Sequence, residues 1–294
     1  MTADPLAEHR PHLLAVGYRL TGSRADAEDA VQDAWLRWDR LGDEGRAAVR
    51  DVRAWLATTV SRLCLDRVRS APARRERYVG PWLPEPLVTT GPDDVFDAVA
   101  ARQDVRMAAL LVLEHLTPDQ RVAFVLHDGA GVGFDDVAEV LGCTTTTARQ
   151  HASRARRSVA AATAAGRLPD PVPAPEQRRV LDAFLAALAA GDVPAPVAVL
   201  HPDAELRTDG GGIVKAARRV VRGADRIARL LVALAQETGP ELLAAVRPVT
   251  VNGEVGMLLP APDQVGPPMV GVLTVADGRA VGVHVVMTPE KLRA

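Results

Sequence analysis

The stretch from Thr117 to Val159, TPDQRVAFVLHDGAGVGFDDVAEVLGCTTTTARQHASRARRSV, leaves few choices of fold. Thr117-Pro118-Asp119 sets a capping hydroxyl before a proline, whose missing N–H is harmless in a first helical turn. Val122, Val125 and Leu126 recur at three- and four-residue spacing and give that helix one apolar face. Phe134 to Leu141 predicts a short second helix with Phe134, Val137, Ala138 and Leu141 inward. Gly142 stops it, because glycine takes the left-handed conformation a tight helix end needs. Thr144 caps a third helix that carries Arg149, Arg154, Arg156 and Arg157 and no acid through Val159. The three pieces read as a helix-turn-helix.

The third helix has the chemistry of a groove reader. Ala148, Ala152 and Ala155 are small enough to pack on the preceding helix, which leaves Thr145, Thr146, Arg149, Gln150, Ser153 and Arg154 outward. Arg and Gln have the forked geometry that reads guanine and adenine edges in the major groove. The bland alternative is an amphipathic helix with a solvated arginine face.

At 294 residues, 48% of them hydrophobic, the chain has room for two or three domains with real cores. No run approaches the length of an uncharged membrane helix, and the polar N-terminus lacks a signal-peptide pattern, so the expected compartment is the cytoplasm. Cys64 and Cys143 both fall in expected helical segments without CxxC or histidine neighbours, which argues for small core residues over a disulfide or zinc site. The net charge of −2 hides sectors: Asp26–Glu44 leans acidic, Arg50–Arg77 is strongly basic, and the third helix is basic again. Nearly all the positive charge is arginine, with Lys215 and Lys291 the only lysines.

Residues 5–41 predict two helices joined at Gly22-Ser23. In the second, Ala27, Ala30, Val31, Ala34, Trp38 and Leu41 form the buried stripe, and Asp26, Glu28, Asp29, Gln32 and Asp33 lie around the other side. That acidic face is either a well-capped solvated surface or a docking site for a basic partner. Asp51–Arg69 is a further helix with Val52, Trp55, Leu56, Val60, Leu63 and Val68 inward. Arg62, Asp66, Arg69, Arg74, Arg75 and Arg77 point outward. Trp55 can stack on an unpaired base, but beside Ala and Leu it reads better as core.

Tyr78–Pro86, with three prolines and a glycine, is an extended connector; Tyr78, Trp82 and Leu83 imply that it docks on something. Asp93–Leu113 reads as helix leading into the helix-turn-helix. A proline-rich spacer, Leu168–Pro175, precedes a change of pattern. Beyond it come helices at Gln177–Ala190 and Ala224–Gln236, with a strand at Ala204–Arg207 between them. Alternating runs follow at Ala244–Val251, Gly256–Leu259, Val270–Val275 and Val281–Met287, with hairpin turns at Asn252-Gly253 and Asp277-Gly278. The expectation is a multidomain chain, two all-α parts followed by an α+β domain.

Three ordered motifs carry a resemblance: Thr21–Trp38 (TGSRADAEDAVQDAWLRW), Arg53–Ser70 (RAWLATTVSRLCLDRVRS) and Leu141–Arg157 (LGCTTTTARQHASRARR). Together they resemble an extracytoplasmic-function (group 4) RNA polymerase sigma factor. The resemblance implies region 2 over residues 1–75, a linker over 76–92, region 4 over 93–167, a spacer over 168–175, and a C-terminal domain over 176–294. It places Asp26, Glu28, Asp29, Gln32 and Asp33 on the helix that meets core polymerase. Arg62, Asp66, Arg69, Arg74 and Arg75 fall near the melted −10 strand, with Arg62 where many members have Asn. Thr145, Thr146, Arg149, Gln150, Ser153, Arg154 and Arg157 fall on the −35 helix.

The last third resembles the SnoaL-like cone domain of one subgroup of these factors, through Tyr78–Pro86 (YVGPWLPEP) and Asp209–Gly212 (DGGG). Ile213 and Val214 separate the glycines from Lys215, and Thr288–Leu292 departs slightly from the subgroup's usual ending. This resemblance implies interdomain contacts through Tyr78, Trp82, Pro84, Glu85, Asp209, Gly210, Gly211 and Gly212, and control of the sigma core in cis. It implies core RNA polymerase and promoter DNA as partners, with no cofactor, metal or catalytic residue and no membrane. A small molecule in the cone is a further open expectation. Two rival readings stand beside it: a repressor that binds operators alone, and an isomerase- or cyclase-type cone using His201, Asp203, Asp209 or His284.

Overall fold

The computed structural model describes residues 5–76, 78–89, 95–100, 102–239, 243–259 and 268–292. Of the side chains within them, those of residues 5–7, 72–75, 95, 97, 103 and 238 are not described. The chain divides into two compact units, each of which combines two separate stretches of sequence. One takes the residues up to Glu76 together with Leu110–Ala162, and the other takes the chain up to Ala109 and from Thr163 onward.

The first unit is all helical. Helices α1 (Pro5–Thr21), α2 (Arg24–Arg40), α3 (Gly42–Ala48) and α4 (Val52–Glu76) form a bundle around Leu13, Leu14, Tyr18, Leu20 and Leu56, all fully buried. Ser23 starts α2 by accepting from the Asp26 N–H at 3.3 Å, a cap worth about 1 kcal/mol. Ala27, Ala30, Val31, Ala34 and Trp38 are buried as the spacing requires. The ring of Trp55 meets that of Trp38 edge-on at 5.3 Å, so its main contact is with the bundle.

The helix-turn-helix completes this unit, with α7 (Pro118–Phe124), α8 (Phe134–Leu141) and α9 (Thr145–Ala164). Thr117 and Gln120 form a reciprocal capping box on α7. The helix then widens into a π turn over Val125–Gly129. Gly142 ends α8 with φ of 68°. Cys143 lies in that turn and not in a helix, while Cys64 is buried in α4, where desolvation pushes its thiol up to about 12. Such a thiol stays protonated and inert.

The second unit is built on a seven-stranded sheet, order β1-β4-β5-β6-β7-β2-β3, formed by β1 (Val88–Thr89), β2 (Leu200–Asp209), β3 (Val221–Arg222), β4 (Arg247–Val251), β5 (Glu254–Leu259), β6 (Met269–Ala276) and β7 (Arg279–Val286). Only the β2–β7 pairing is parallel. Helices α10 (Ala174–Ala190), α11 (Pro194–Val199) and α12 (Ala224–Thr238) pack on one face, where Leu181, Phe184, Ile227, Leu206 and Val283 share a core. Both expected hairpin turns have two residues of positive φ, Asn252-Gly253 at 52° and 78° and Asp277-Gly278 at 49° and 69°. This geometry matches the twist of the strands they join.

Three features depart from the sequence expectation. The run expected as one helix from Asp93 to Leu113 is broken into α5 (Val95–Ala100), a 3-10 turn (Gln103–Val105) and α6 (Met107–Glu114), and Asp93 itself lies outside the described residues. Side-chain contacts around Val105 and Arg106 override helix propensity there, as described below. Pro194 and Pro196 do not prevent α11, because Pro194 occupies the first turn where no N–H is needed. Strand β1 comes from the connector: Val88 and Thr89 pair with Val251 and Thr250, so the linker adds an edge strand to the C-terminal sheet.

Candidate nucleic-acid interface and the hub of the C-terminal domain

On α9, Ala148, Ala152 and Ala155 are fully buried, and this smooth seam lets the helix sit close on its neighbour. Thr146, Arg149, Gln150, Ser153, Arg154 and Arg157 are all exposed, and Thr145 is half-buried with its hydroxyl donating to Asp135 at 2.7 Å. Phe134 stacks on His127 at 3.7 Å between centroids, and the Arg149 guanidinium lies 5.5 Å over the Phe134 ring. Phe134 therefore buttresses the exposed face as well as lining the inside of α8, which the apolar spacing alone does not reveal.

On α4, Arg62, Asp66 and Arg69 fall on one exposed stripe, spaced at four and seven residues. Arg74 and Arg75 lie in its last turns, and their side chains lie outside the described residues. On α2, Asp29, Gln32 and Asp33 are exposed, while Asp26 and Glu28 are half-buried. Arg67 of α4 reaches Asp26 at 3.3 Å and Asp29 at 3.5 Å, and Arg24 pairs with Glu28 at 3.5 Å. The acidic face is therefore partly neutralised from within.

The bundle and the helix-turn-helix meet directly. Arg121 of α7 is 3% exposed; it donates to the carbonyls of Leu113 at 2.9 Å and Leu20 at 3.0 Å and pairs with Glu114 at 2.6 Å. A Cβ at Gly129 would overlap the guanidinium of buried Arg19, so the π turn can dock on α1 only with glycine there. At the rim, Arg62 pairs with Glu139 of α8 at 2.6 Å, and Arg69 pairs with Asp119 of α7 at 3.3 Å. Nothing in the spacing of either helix predicts these pairs.

In the second unit, Asp209 at the end of β2 is completely buried and gathers the connector around it. One carboxylate oxygen accepts from the Tyr78 hydroxyl at 2.5 Å, the Thr288 hydroxyl at 2.7 Å and the Gly211 N–H at 3.1 Å. The other accepts from the Leu83 N–H and from Lys291 Nζ, both at 2.8 Å. Lys291 also donates to the Leu83 carbonyl at 2.5 Å and lies 4.4 Å over the Trp82 ring. Burial pushes the Asp209 carboxyl up, but the Lys291 ammonium and the donated hydrogen bonds outweigh it and hold it below its ordinary value. The same environment pushes the Tyr78 phenol well up, through burial and its bond to Asp209.

Leu83, Pro84 and Pro86 are buried, and Glu85 is half-buried. Gly210, Gly211 and Gly212 pass close to Val214, Thr288 and Val79 respectively, which leaves no room for side chains. Sequence reasoning singled out Tyr78, Trp82 and Asp209 but not Thr288 or Lys291. A lysine kept in a chain that otherwise uses arginine was the available signal. A compact ammonium can reach a carbonyl, a carboxylate and an aromatic face at once, which a planar guanidinium cannot do as tightly.

A second clamp lies at the β4–β5 turn. Asn252 accepts from the Leu87 N–H at 3.1 Å and donates to the Val105 carbonyl at 2.8 Å. Beside it, Glu254 is 4% exposed and faces Arg106 at 3.8 Å, and burial pushes its carboxyl up to about 7. Arg106 in turn donates to the Pro169 carbonyl at 3.1 Å. The connector, the start of α6 and the proline-rich spacer are thus all tied to one hairpin.

The residues considered for cone chemistry do not assemble. His201 accepts from the Asp203 N–H at 3.1 Å in a local turn. His284 lies on the sheet face opposite the helices, bonded to Thr274 at 3.1 Å, and burial drives it down to about 3, so it stays neutral. An open cavity of about 700 Å³ is lined by Val197, Leu200, Arg222, Asp225 and Arg279 among others, and by none of these four candidates. Among the described residues no His, Cys, Asp and Glu cluster fits a metal ion, and no helix is long and apolar enough to cross a membrane.

A helix-turn-helix docked on a helical bundle through buried arginine defines a sigma-70-type initiation factor. The family descriptions Sigma-70 region 2 and Sigma-70, region 4 match residues 6–74 and 106–159. The chain belongs to the extracytoplasmic-function RNA polymerase sigma factors. It is 48% identical over 289 residues to the ECF RNA polymerase sigma factor SigJ of Mycobacterium tuberculosis, covering 96% of this chain and 90% of that protein. A probable ECF RNA polymerase sigma factor of the same species, SigI, is 33% identical over 97% of this chain and 92% of its own length. The crystal structure of the M. tuberculosis SigJ factor superposes with a TM-score of 0.79 at 44% identity, covering 98% of this chain and 97% of that one. The resemblance thus includes the C-terminal sheet-containing domain, and the chain is a sigma factor that directs transcription initiation.

Proposed function

We propose that this sigma factor joins core RNA polymerase in the cytoplasm through the exposed acids of α2, with Asp29, Gln32 and Asp33 making the contact and Asp26 and Glu28 supporting it. Arg62, Asp66 and Arg69, with Arg74 and Arg75 on the same helix, receive the −10 strand. Thr145, Thr146, Arg149, Gln150, Ser153, Arg154 and Arg157 read the −35 element. The observation that carries this reading is the division of α9 into a fully buried alanine seam and an acid-free, exposed arginine and glutamine face. That is the form of a helix held for insertion into a major groove.

The C-terminal domain acts in cis. The connector between the two DNA-reading modules is part of the unit that contains this domain, pinned by Asp209 and by the Asn252 turn. While both clamps hold, the connector has little freedom to lengthen, so promoter spacing is reached only when they yield or shift. The protein has no catalytic role in this scheme.

Gel shifts on promoter fragments, run with and without core polymerase, test the proposal. Stable complexes should require the core enzyme and should weaken steeply with salt, because each phosphate neutralised releases counterions. Tight, sequence-specific binding without polymerase, together with failure to join the core enzyme, would instead mark a repressor.

A further inference from the structure

The exposed stripe of α4 that carries Arg62, Asp66 and Arg69 is also the stripe that meets the helix-turn-helix. Arg62 Nη2 lies 2.6 Å from Glu139 Oε1. Arg69 Nη2 lies 3.3 Å from Asp119 Oδ1 and 3.4 Å from the Leu141 carbonyl. An acid, or an acid with a carbonyl oxygen, has been set against each of two guanidinium groups spaced two helical turns apart. We propose that Glu139 and Asp119 stand in for promoter phosphate, so that one DNA-reading module occupies the arginines of the other while the factor is free of polymerase. The proposal rests on the assignment of Arg62 and Arg69 to the −10 strand.

Two observations separate a gate from a structural bridge. The side chains of Arg62 and Arg69 remain 40% and 45% exposed, with Glu139 at 71% and Asp119 at 39%. Pairs this wet contribute about 0–1 kcal/mol each, so they do not hold the unit together. The anchor lies deeper, where buried Arg121 reaches the Leu20 carbonyl and Arg19 packs on Gly129. Weak, solvent-accessible acid contacts are the kind that DNA displaces, since a duplex presents a charge about every 1.7 Å along its axis. The buried anchor sets the geometry, and the rim pairs set which charges are free.

The experiment uses the full-length protein and a fluorescein-labelled forked duplex whose single-stranded arm covers the −10 position in random sequence. Glu139→Gln with Asp119→Asn should bind it about three- to twentyfold more tightly at low salt, since loss of up to about 1 kcal/mol of competition per pair is up to about fivefold each. The logarithmic salt slope should steepen by up to about two phosphates' worth. In an Arg62→Ala background the gain from Glu139→Gln should vanish, because the arginine it frees is gone. A gain that persists in that background reflects general electrostatics and overturns the gate, as does the absence of any gain. The same proteins are passed over a sizing column with core polymerase. If none of them joins the core enzyme, the sigma-factor assignment fails and the gate with it. If they join normally while DNA affinity is unchanged, only the gate fails.

Discussion

Single side chains decide how the C-terminal domain grips the connector. Asp209 is buried with its charge intact because Lys291, Tyr78, Thr288 and two backbone N–H groups converge on it. Asp209→Asn removes that charge and leaves Lys291 beside a neutral amide, a change of the kind that costs about 3–5 kcal/mol. The expected result is a matching loss of stability in the second unit, with faster proteolysis within residues 78–89, measured by denaturant titration and limited digestion. On α9, Arg149→Ala and Gln150→Ala should each cost about 1–3 kcal/mol of promoter affinity while leaving association with core polymerase unchanged, as read by competition binding. Much of this site was legible in the residues. The alanines at 148, 152 and 155 fixed which way α9 faces, and the glycines of 210–212 marked a crowded turn. Lys291 was not legible, because a lysine near a chain end carries no spacing signal and only the fold brings it to Asp209.

At the scale of elements, local periodicity served well where a helix or hairpin closes on itself and poorly where distant segments compete for it. Gly142, Asn252-Gly253 and Asp277-Gly278 take the positive φ values their turns require, so those boundaries follow from chemistry in place. The helix expected over Asp93–Leu113 breaks because Val105 and Arg106 answer to Asn252, Glu254 and Pro169, about 150 residues away for the first two. The hairpin that imposes this break also carries an acid–base signature. Glu254, raised from 4.5 to about 7, binds its proton more tightly in the folded state. Its contribution therefore falls as pH rises through that interval, by up to about 3 kcal/mol. His284, lowered from 6.5 to about 3, does the opposite: stability is lost as pH falls below 6.5, because only the unfolded chain takes the proton readily. Between about pH 4.5 and 6.5 the two slopes oppose each other. Glu254→Gln should remove one slope, giving a C-terminal domain that is more stable at pH 8 than the parent and that weakens steadily on acidification. Hydrogen exchange of the β6 and β7 amides across that range measures both effects, and a variant with the parent's pH profile would show that Glu254 is not titrating there. In the other unit, Arg121→Met should destabilise the packing of α7 against α1 by about 3–5 kcal/mol, measured by urea unfolding, since it strips the buried partner from Glu114.

For the whole molecule, the division of the chain departs from its linear order. The two sigma regions share one unit although a connector separates them, and that connector belongs to the other unit. No pattern of hydrophobic residues could show this, because it depends on which surfaces are left over once each module has folded. The account consequently treats the factor as two promoter-reading modules whose separation is governed by a tether and whose partner-facing acids lie on α2. The most direct test is transcription from a library of DNA fragments by core polymerase supplied with the full-length protein, with the transcripts sequenced at their 5′ ends. The account predicts start sites that share a −10 and a −35 element at fixed spacing and that disappear when Arg149 and Arg154 are both changed to Ala. Transcripts no more frequent or more selective than those from core polymerase alone would contradict it.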